Sequence, residues 1–499
     1  MPSNAYPKLL IQFQKIAQLD HAITFLQWDQ LVMMPPGGNN SRAQAIAELA
    51  SMRHEMLISS EIGELIEMAD YQATDEQQKR SVLEMNRAYQ QASCLPASLV
   101  KAQSYAGSKC EHGWRTQRKD NDWQGFLTNF EEVVKLAREE AQLRQAADPK
   151  RFTTPYDAML DLHCTGDSSE FIADVFTGLK KELPELMQQV LQKQQQAISP
   201  VGSYPVEQQK IISHKLMEYL GFDFEAGRLD VSLHPFSTGG RGDQRITTRF
   251  KDDDFIDALM GTAHETGHAS YEAGLPEKWD NLPVGEARNM CLHESQSLFF
   301  EKQIFLSKPF LTFFTDEIHN GLVDSRKYSA EEIWRSAIRV QPSYIRVDAD
   351  EVSYPLHVIL RFEIESQLIN GTIVPGDIPE LWDLKMQEYL GLSTRENYRD
   401  GCLQDIHWTD GSFGYFPSYT LGALNAAQLS KTMRQVYPDW QDRFARGDVG
   451  FIREWLRENI WEKGSTMDSQ DLIREATGEM TNPKYFLEHI KARYLDNSY

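Results

Sequence analysis

Cationic side chains are in short supply. Against 73 Asp and Glu residues the 499-residue chain carries only 51 Lys and Arg, a formal net charge of −22. A nucleic-acid or anionic-membrane partner needs clustered positive charge to pair with phosphates, and no long basic run is present, so neither partner is expected. Cysteine is scarce too. Cys94, Cys110, Cys164, Cys291 and Cys402 are odd in number, widely spread and form no Cys-x-x-Cys pair, which suits reduced thiols in a cytoplasmic protein. No stretch reaches the roughly 18 apolar residues of a membrane span. Met1 to Gln14 lacks the apolar core and small-residue cleavage site of a secretory leader, so the chain is expected to be soluble and unexported. Internal repeats, low-complexity tracts and clear linkers are missing as well, and nothing divides the chain into separately folded modules.

What the chain does possess is Thr262-Ala263-His264-Glu265-Thr266-Gly267-His268-Ala269. On a helix, residues four apart lie one turn above each other on the same face, so both imidazoles can reach one metal ion. Glu265 is carried beside them as a carboxylate able to take a proton from water. A helix is predicted around this motif. Phe255, Ile256, Leu259, Met260 and Ala263 recur at helical spacing, Asp252, Asp253 and Asp254 put negative charge at the N-terminus, and Gly274 with Pro276 ends the run after about five turns. The reaction class implied is metal-assisted hydrolysis.

A catalytic zinc of this kind takes a third protein ligand and keeps one position open. A third histidine six residues on, preceded by glycine, would define one branch, but those positions hold Gly274 and Tyr271. A carboxylate remains. Glu272 lies a further turn along the same helix, and Glu277 and Asp280 fall in a Pro-bounded turn, which leaves Glu286, Glu294 and Glu301. Spacing slightly prefers Glu294, inside an apolar-periodic helix (Met290, Leu292, Leu298, Phe299) that can pack back on the first.

Elsewhere the texture is helical. Tyr6 to Trp28 reads as a helix, Met34-Pro35-Pro36-Gly37-Gly38 breaks it, and Ser41 is placed to cap the next. Further helices are expected near 60–69, 75–92 and 124–146, at Ile304 to Leu311 and Phe313 to Leu322, and at Ala330 to Arg339. Between Arg228 and Phe250 the composition turns β-like. Leu229 to Leu233 and Arg245 to Phe250 are expected to pair as a hairpin across the Gly-rich Ser237 to Gly242, with an edge able to hold an extended peptide. Two polar stretches stand out. Tyr344 to Glu365 sets Arg346, Asp348, Asp350, Glu351, Tyr354 and His357 among apolar residues, and Gly401 to Trp408 leads through Gly411-Ser412-Phe413-Gly414-Tyr415 to Tyr419.

Taken together, His234-Pro235-Phe236, Asp243-Gln244-Arg245-Ile246-Thr247, the His264 to His268 motif, His293-Glu294-Ser295-Gln296, Ile345-Arg346-Val347-Asp348-Ala349-Asp350 and Gly401 to Trp408 resemble the carboxypeptidase Taq family of metallocarboxypeptidases. Trp28-Asp29-Gln30 and its Met-Pro-Pro-Gly-Gly sequel match the family's N-terminal region, and the resemblance covers essentially the whole chain. It implies a mainly α fold, similar to neurolysin and angiotensin-converting enzyme, with a deep substrate groove and a small β element beside the metal helix. One peptidase domain over 1–499 is expected, with two helical subdomains flanking the groove.

The same resemblance implies Zn²⁺, replaceable by Co²⁺, on His264, His268 and Glu294, and a homodimer. The activity implied is release of single C-terminal residues from peptides with a free C-terminus, broadly but with Pro disfavoured. Glu265 is the expected base. By analogy with angiotensin-converting enzyme, His407 or Tyr415 is the expected oxyanion donor. A fork-shaped guanidinium suits a terminal carboxylate, so Arg346 is the first choice for it and Arg245 the second. A salt bridge from Arg346 to Asp348, Asp350 or another carboxylate is the rival role. His234 is expected to shape the groove near the β element. The alternatives are a zinc oligoendopeptidase or dipeptidase on the same fold, and a non-catalytic peptide-binding protein with a structural metal. Against the last, no cysteine is placed to close the fourth position.

Overall fold

The computed structural model describes residues 5–194, 200–323 and 325–496. The first four residues of the Met1 to Gln14 segment therefore lie outside the described part. The fold is mainly α, as expected, with a single three-stranded sheet. No helix among the described residues is long and apolar enough to cross a membrane.

The N-terminal helices Ala5–Val32, Asn39–Leu57, Ser60–Gln72 and Glu76–Ser93 turn Leu9, Phe13, Ile16, Ile62, Leu65, Val82 and Met85 onto a small core of their own. Leu282 and Val284 from the middle of the chain complete it. Burying such side chains is worth about 1.5–3 kcal/mol each, so this part holds together by the same force as the main body. The remaining helices share one large core. Ser41 does not cap its helix. The short 3-10 turn Pro36–Gly38 runs straight into Asn39–Leu57 with Gly38 at the cap position, so Ser41 already lies in the first turn.

The sheet differs from the expected hairpin. β1 (Gly227–Val231) runs parallel to β3 (Asp243–Thr248), and the antiparallel partner of β3 is β2 (Phe236–Gly240). The Gly-rich stretch is thus itself largely strand. Gly239, at φ 92°, brings its backbone so close to the Asp243 carbonyl that a Cβ would sit 2.1 Å from it, and Gly242, at φ 80°, closes a tight turn. Glycines that look like a loop are here the condition for close strand approach. β2 remains an edge strand beside the Ile256–Gly274 helix.

A second departure follows the Met290–Leu298 helix, which continues as a π-helix over Phe299–Phe305 instead of breaking before Ile304. The next helix, Lys308–Gly321, starts with Pro309 in its first turn. π-turns widen the helix and re-aim its side chains. Here the widened turn carries Glu301.

Candidate metal centre

The Ile256–Gly274 helix is started by Asp254, whose Oδ1 accepts from the backbone N–H groups of Ile256 at 2.9 Å and Asp257 at 3.2 Å. Leu259, Ala263 and Tyr271 bury one face of it in the main core. His264 and His268 stand one turn apart with ring centroids 5.0 Å from each other. The Met290–Leu298 helix, capped by Asn289 through a 3.0 Å bond from the Leu292 N–H, lies against it. Two glycines set how near the helices come. A Cβ on Gly267 would lie 2.5 Å from the Gln296 carbonyl oxygen, and one on Gly422 would lie 2.7 Å from the Cβ of Glu294. The helix bearing Glu294 is therefore held between two surfaces with no side chain at the contact point.

Three donor atoms converge as a result. The Nε2 atoms of His264 and His268 lie 3.4 Å and 3.3 Å from one oxygen, Oε2 of Glu294, and the three ligand atoms all fall within 4.8 Å of one another. Ligands about 2.0–2.1 Å from a tetrahedral zinc stand about 3.3–3.4 Å apart. The two separations from Glu294 therefore match those around such an ion, and the donor set suits it. The other ring nitrogens point away and are held: His264 Nδ1 lies 2.9 Å from Glu301 Oε2, and His268 Nδ1 lies 2.5 Å from His293 Nδ1. Ser297 Oγ donates to Glu294 Oε2 at 2.7 Å. Glu286, the other carboxylate left open by spacing, is exposed and outside the cluster, while Glu301 stands behind His264.

Charge follows geometry. Burial disfavours an ionised Glu294, yet the His264 and His268 imidazoles outweigh it and hold the carboxyl well below the usual range. Burial likewise opposes a cationic His264, but Glu294 and Glu301 raise it. Glu265 is buried, and burial, only partly opposed by His264 and helped by Glu294, pushes its carboxyl up to about 7. A carboxylate poised there can both accept and return a proton near neutral pH.

His264 and Glu294 open onto a cavity of about 370 Å³ whose wall also carries Arg346, Tyr354 and Tyr419. Arg346 does form an ion pair, but with Asp405 and not with Asp348 or Asp350. Asp405 is shared with the fully buried Arg361 at 3.0 Å, which also meets Glu365 at 2.9 Å. Two guanidinium groups face two carboxylates there. Arg346 Nη2 lies 3.4 Å from His407 Nδ1, and its Nη1 makes no hydrogen bond among the described residues.

His407 and Tyr415 flank this wall, His407 against Arg346 and Tyr415 against Tyr419. Their rings stack at 6.1 Å, and Tyr415 meets Tyr419 edge-on at 5.2 Å. Burial, helped by Arg361 and Arg346, depresses His407 to about 4, so it is neutral at pH 7. Burial raises the Tyr415 phenol. Arg245 is committed elsewhere: its fork grips Asp243 at 2.5 Å and 3.0 Å and its face lies 4.4 Å over Trp28. His234 is exposed just before β2, its carbonyl accepting from Ser232 Oγ at 2.5 Å.

Tyr354 and Tyr419 sit in stretches whose polar–aromatic mixture is visible in the sequence, but their place on the cavity wall is not. No spacing rule reaches them, because residues 346, 354, 405 and 419 meet only through tertiary packing.

Two helices presenting two imidazoles and a carboxylate to one point, with a buried glutamate beside them, define a peptide hydrolase of the HExxH metallopeptidase class. Comparison with known proteins narrows this. Residues 8–494 match the carboxypeptidase Taq (M32) metallopeptidases, and the chain belongs to that family. It is 35% identical over 504 residues to thermostable carboxypeptidase 1 of Thermus thermophilus, covering 99% of each chain. It is 33% identical to carboxypeptidase 1 of Bacillus subtilis, over 96% of each. Among solved structures, Trypanosoma cruzi metallocarboxypeptidase 1 superposes with a TM-score of 0.95 at 38% identity over 99% of both chains. The Pyrococcus furiosus carboxypeptidase gives 0.94 at 32% identity, covering 99% of this chain and all of that one. The protein is a metallocarboxypeptidase.

Proposed function

We propose that this enzyme uses zinc to release single C-terminal amino acids from peptides with broad preference, disfavouring C-terminal proline. One observation carries the reading: His264 and Glu294, two of the three residues whose donor atoms converge, line the same cavity as Arg346, whose Nη1 makes no hydrogen bond among the described residues. A zinc ion on His264, His268 and Glu294, with cobalt able to replace it, would supply a Lewis acid that polarises a scissile carbonyl and activates water near neutral pH.

The remaining roles belong to the chain itself. Glu265 takes a proton from the attacking water and returns it to the leaving amine, a use supported by its burial and its value of about 7. Arg346 receives the terminal carboxylate through Nη1 while Asp405 holds its other side, and Arg245, already spent on Asp243, serves the groove wall. A donor from Arg346 to Nδ1 keeps the proton of neutral His407 on Nε2, so His407 is a hydrogen-bond donor to the developing oxyanion, with Tyr415 stacked upon it as the second candidate. His234 shapes the groove mouth next to the β2 edge, along which an extended peptide can add as a strand.

The reading extends to one domain with two helical subdomains flanking the groove, supported by the separate N-terminal core. It also extends to a cytoplasmic homodimer, supported by five free thiols for the compartment and by the family resemblance for the dimer.

The test is mass spectrometry of one peptide, as free acid and as C-terminal amide, incubated with zinc-loaded wild type and with Glu265→Gln. Stepwise loss of single residues from the free acid alone, abolished by the substitution, is the expected result. Internal cleavage of both forms would move the assignment to an endopeptidase.

A further inference from the structure

His264, His268 and Glu272 follow one another at four-residue intervals along one stripe of the Ile256–Gly274 helix. The first two turn Nε2 to Glu294. Glu272 is a turn too far to join them, yet it is not idle. Its Oε1 lies 2.8 Å from His293 Nε2, and His293 Nδ1 lies 2.5 Å from His268 Nδ1. The two proposed imidazole ligands thus differ in their support at Nδ1: that of His264 meets the carboxylate of Glu301 directly, whereas that of His268 reaches the carboxylate of Glu272 through a second imidazole.

We infer that Glu272 and His293 are positioning residues that hold His268 in the one tautomer and ring orientation able to bind the cation. This rests on the proposed metal reading above. The proton count leaves a single arrangement. A cation on Nε2 of His268 requires the proton on Nδ1, which donates to Nδ1 of His293. That nitrogen must then be the acceptor, so the His293 proton sits on Nε2 and is donated to Glu272. All three residues are partly shielded, with side chains 13%, 17% and 29% exposed in the order His268, His293, Glu272, so the chain of bonds is not simply replaced by water.

The experiment is zinc affinity by competition with a chromophoric chelator, on full-length wild type, His293→Phe, Glu272→Leu, Glu272→Gln and the double variant His293→Phe/Glu272→Leu. Circular dichroism and thermal unfolding of the metal-free proteins serve as the folding control. Losing an outer partner of a metal-ligating histidine weakens metal binding about 10–100-fold, and that loss is expected for His293→Phe. Glu272→Leu should lose less, Glu272→Gln least because its carbonyl still accepts from Nε2, and the double variant no more than His293→Phe alone. Metal-free stability should stay near wild type for the Glu272 variants. Were His293→Phe to misfold, Glu272→Leu against Glu272→Gln still decides the matter. Affinities within twofold of wild type, or additive losses in the double variant, overturn the inference. A wild type that binds no zinc would instead overturn the metal reading itself.

Discussion

The candidate metal cluster and the arginine wall border one cavity, and they are built in opposite ways. The cluster comes from two neighbouring helices, with His264 and His268 one turn apart and Glu294 brought in by a contact that Gly267 and Gly422 keep bare. The wall comes from distant segments: Arg346, Tyr354 and Tyr419 line the cavity, and Arg346 pairs with Asp405, which is shared with the fully buried Arg361 and through it linked to Glu365. One side depends on spacing and close approach, the other on an ion network. Substitutions should therefore fail differently on the two sides: the cluster through loss of chemistry or of helix contact, the wall through loss of substrate discrimination.

The largest expected effect is on the cluster side. Glu265→Gln should keep bound zinc, read by elemental analysis, while kcat falls about 10²–10⁴-fold, the usual worth of a positioned base. Equal loss of zinc and activity would make Glu265 a part of the metal site instead of a base.

Gly267→Ala comes next. Its Cβ would meet a backbone carbonyl at 2.5 Å, whereas a Cβ on Gly37 would meet nothing within 4 Å. Overpacking of this kind costs about 1–3 kcal/mol, so denaturant unfolding should show that loss for Gly267→Ala and almost none for Gly37→Ala. Equal stabilities would mean that the two helices are free to part.

Acid should weaken both sides, because each holds a buried imidazole that stays neutral in the fold. Burial depresses His268 in the cluster, His407 beside Arg346, and also His163, His357 and His489, to about 4. Each is neutral in the fold but takes a proton near pH 6.5 when unfolded, so the unfolded chain binds more protons between those values. Stability is full above about pH 6.5 and falls as pH drops towards 4, by up to about 1.4 kcal/mol per pH unit for each histidine. Calorimetric melting temperatures of the metal-free protein at pH 7 and pH 5 check the sign; a higher value at pH 5 would contradict it. Least affected should be Arg245→Lys. With its fork on Asp243 and its face on Trp28, its loss should leave the preference for free-acid over amidated peptide within about threefold of wild type.

The same contrast explains what could be read from the chain alone. The metal helix, its start at the Asp252 to Asp254 run and its end at Gly274 were legible because helical period and capping are local properties. Spacing narrowed the third donor to three carboxylates with a slight preference for Glu294, the one that the fold brings to His264 and His268. The hairpin was not legible as drawn: Ser237 to Gly242 carries the glycines of a loop, and only the close approach to Asp243 shows them as strand. The π-turn that swings Glu301 behind His264 leaves no local mark, since it differs from an α-turn by one hydrogen-bond step. Arg346 was legible as a type but its partner was not. Asp405 lies 59 residues away, nearer candidates at Asp348 and Asp350 were at hand, and burial decided against them.

One measurement tests the union of the two sides most directly: kcat/KM for one peptide as free acid and as C-terminal amide, with wild type and with Arg346→Met. Wild type should favour the free acid strongly. Arg346→Met should lose about 2–3 kcal/mol of that preference, roughly 30–150-fold, mainly on the free acid. An unchanged ratio in a folded, zinc-replete variant would contradict the account, because the terminal carboxylate would then be recognised somewhere other than the wall that shares the metal cluster's cavity.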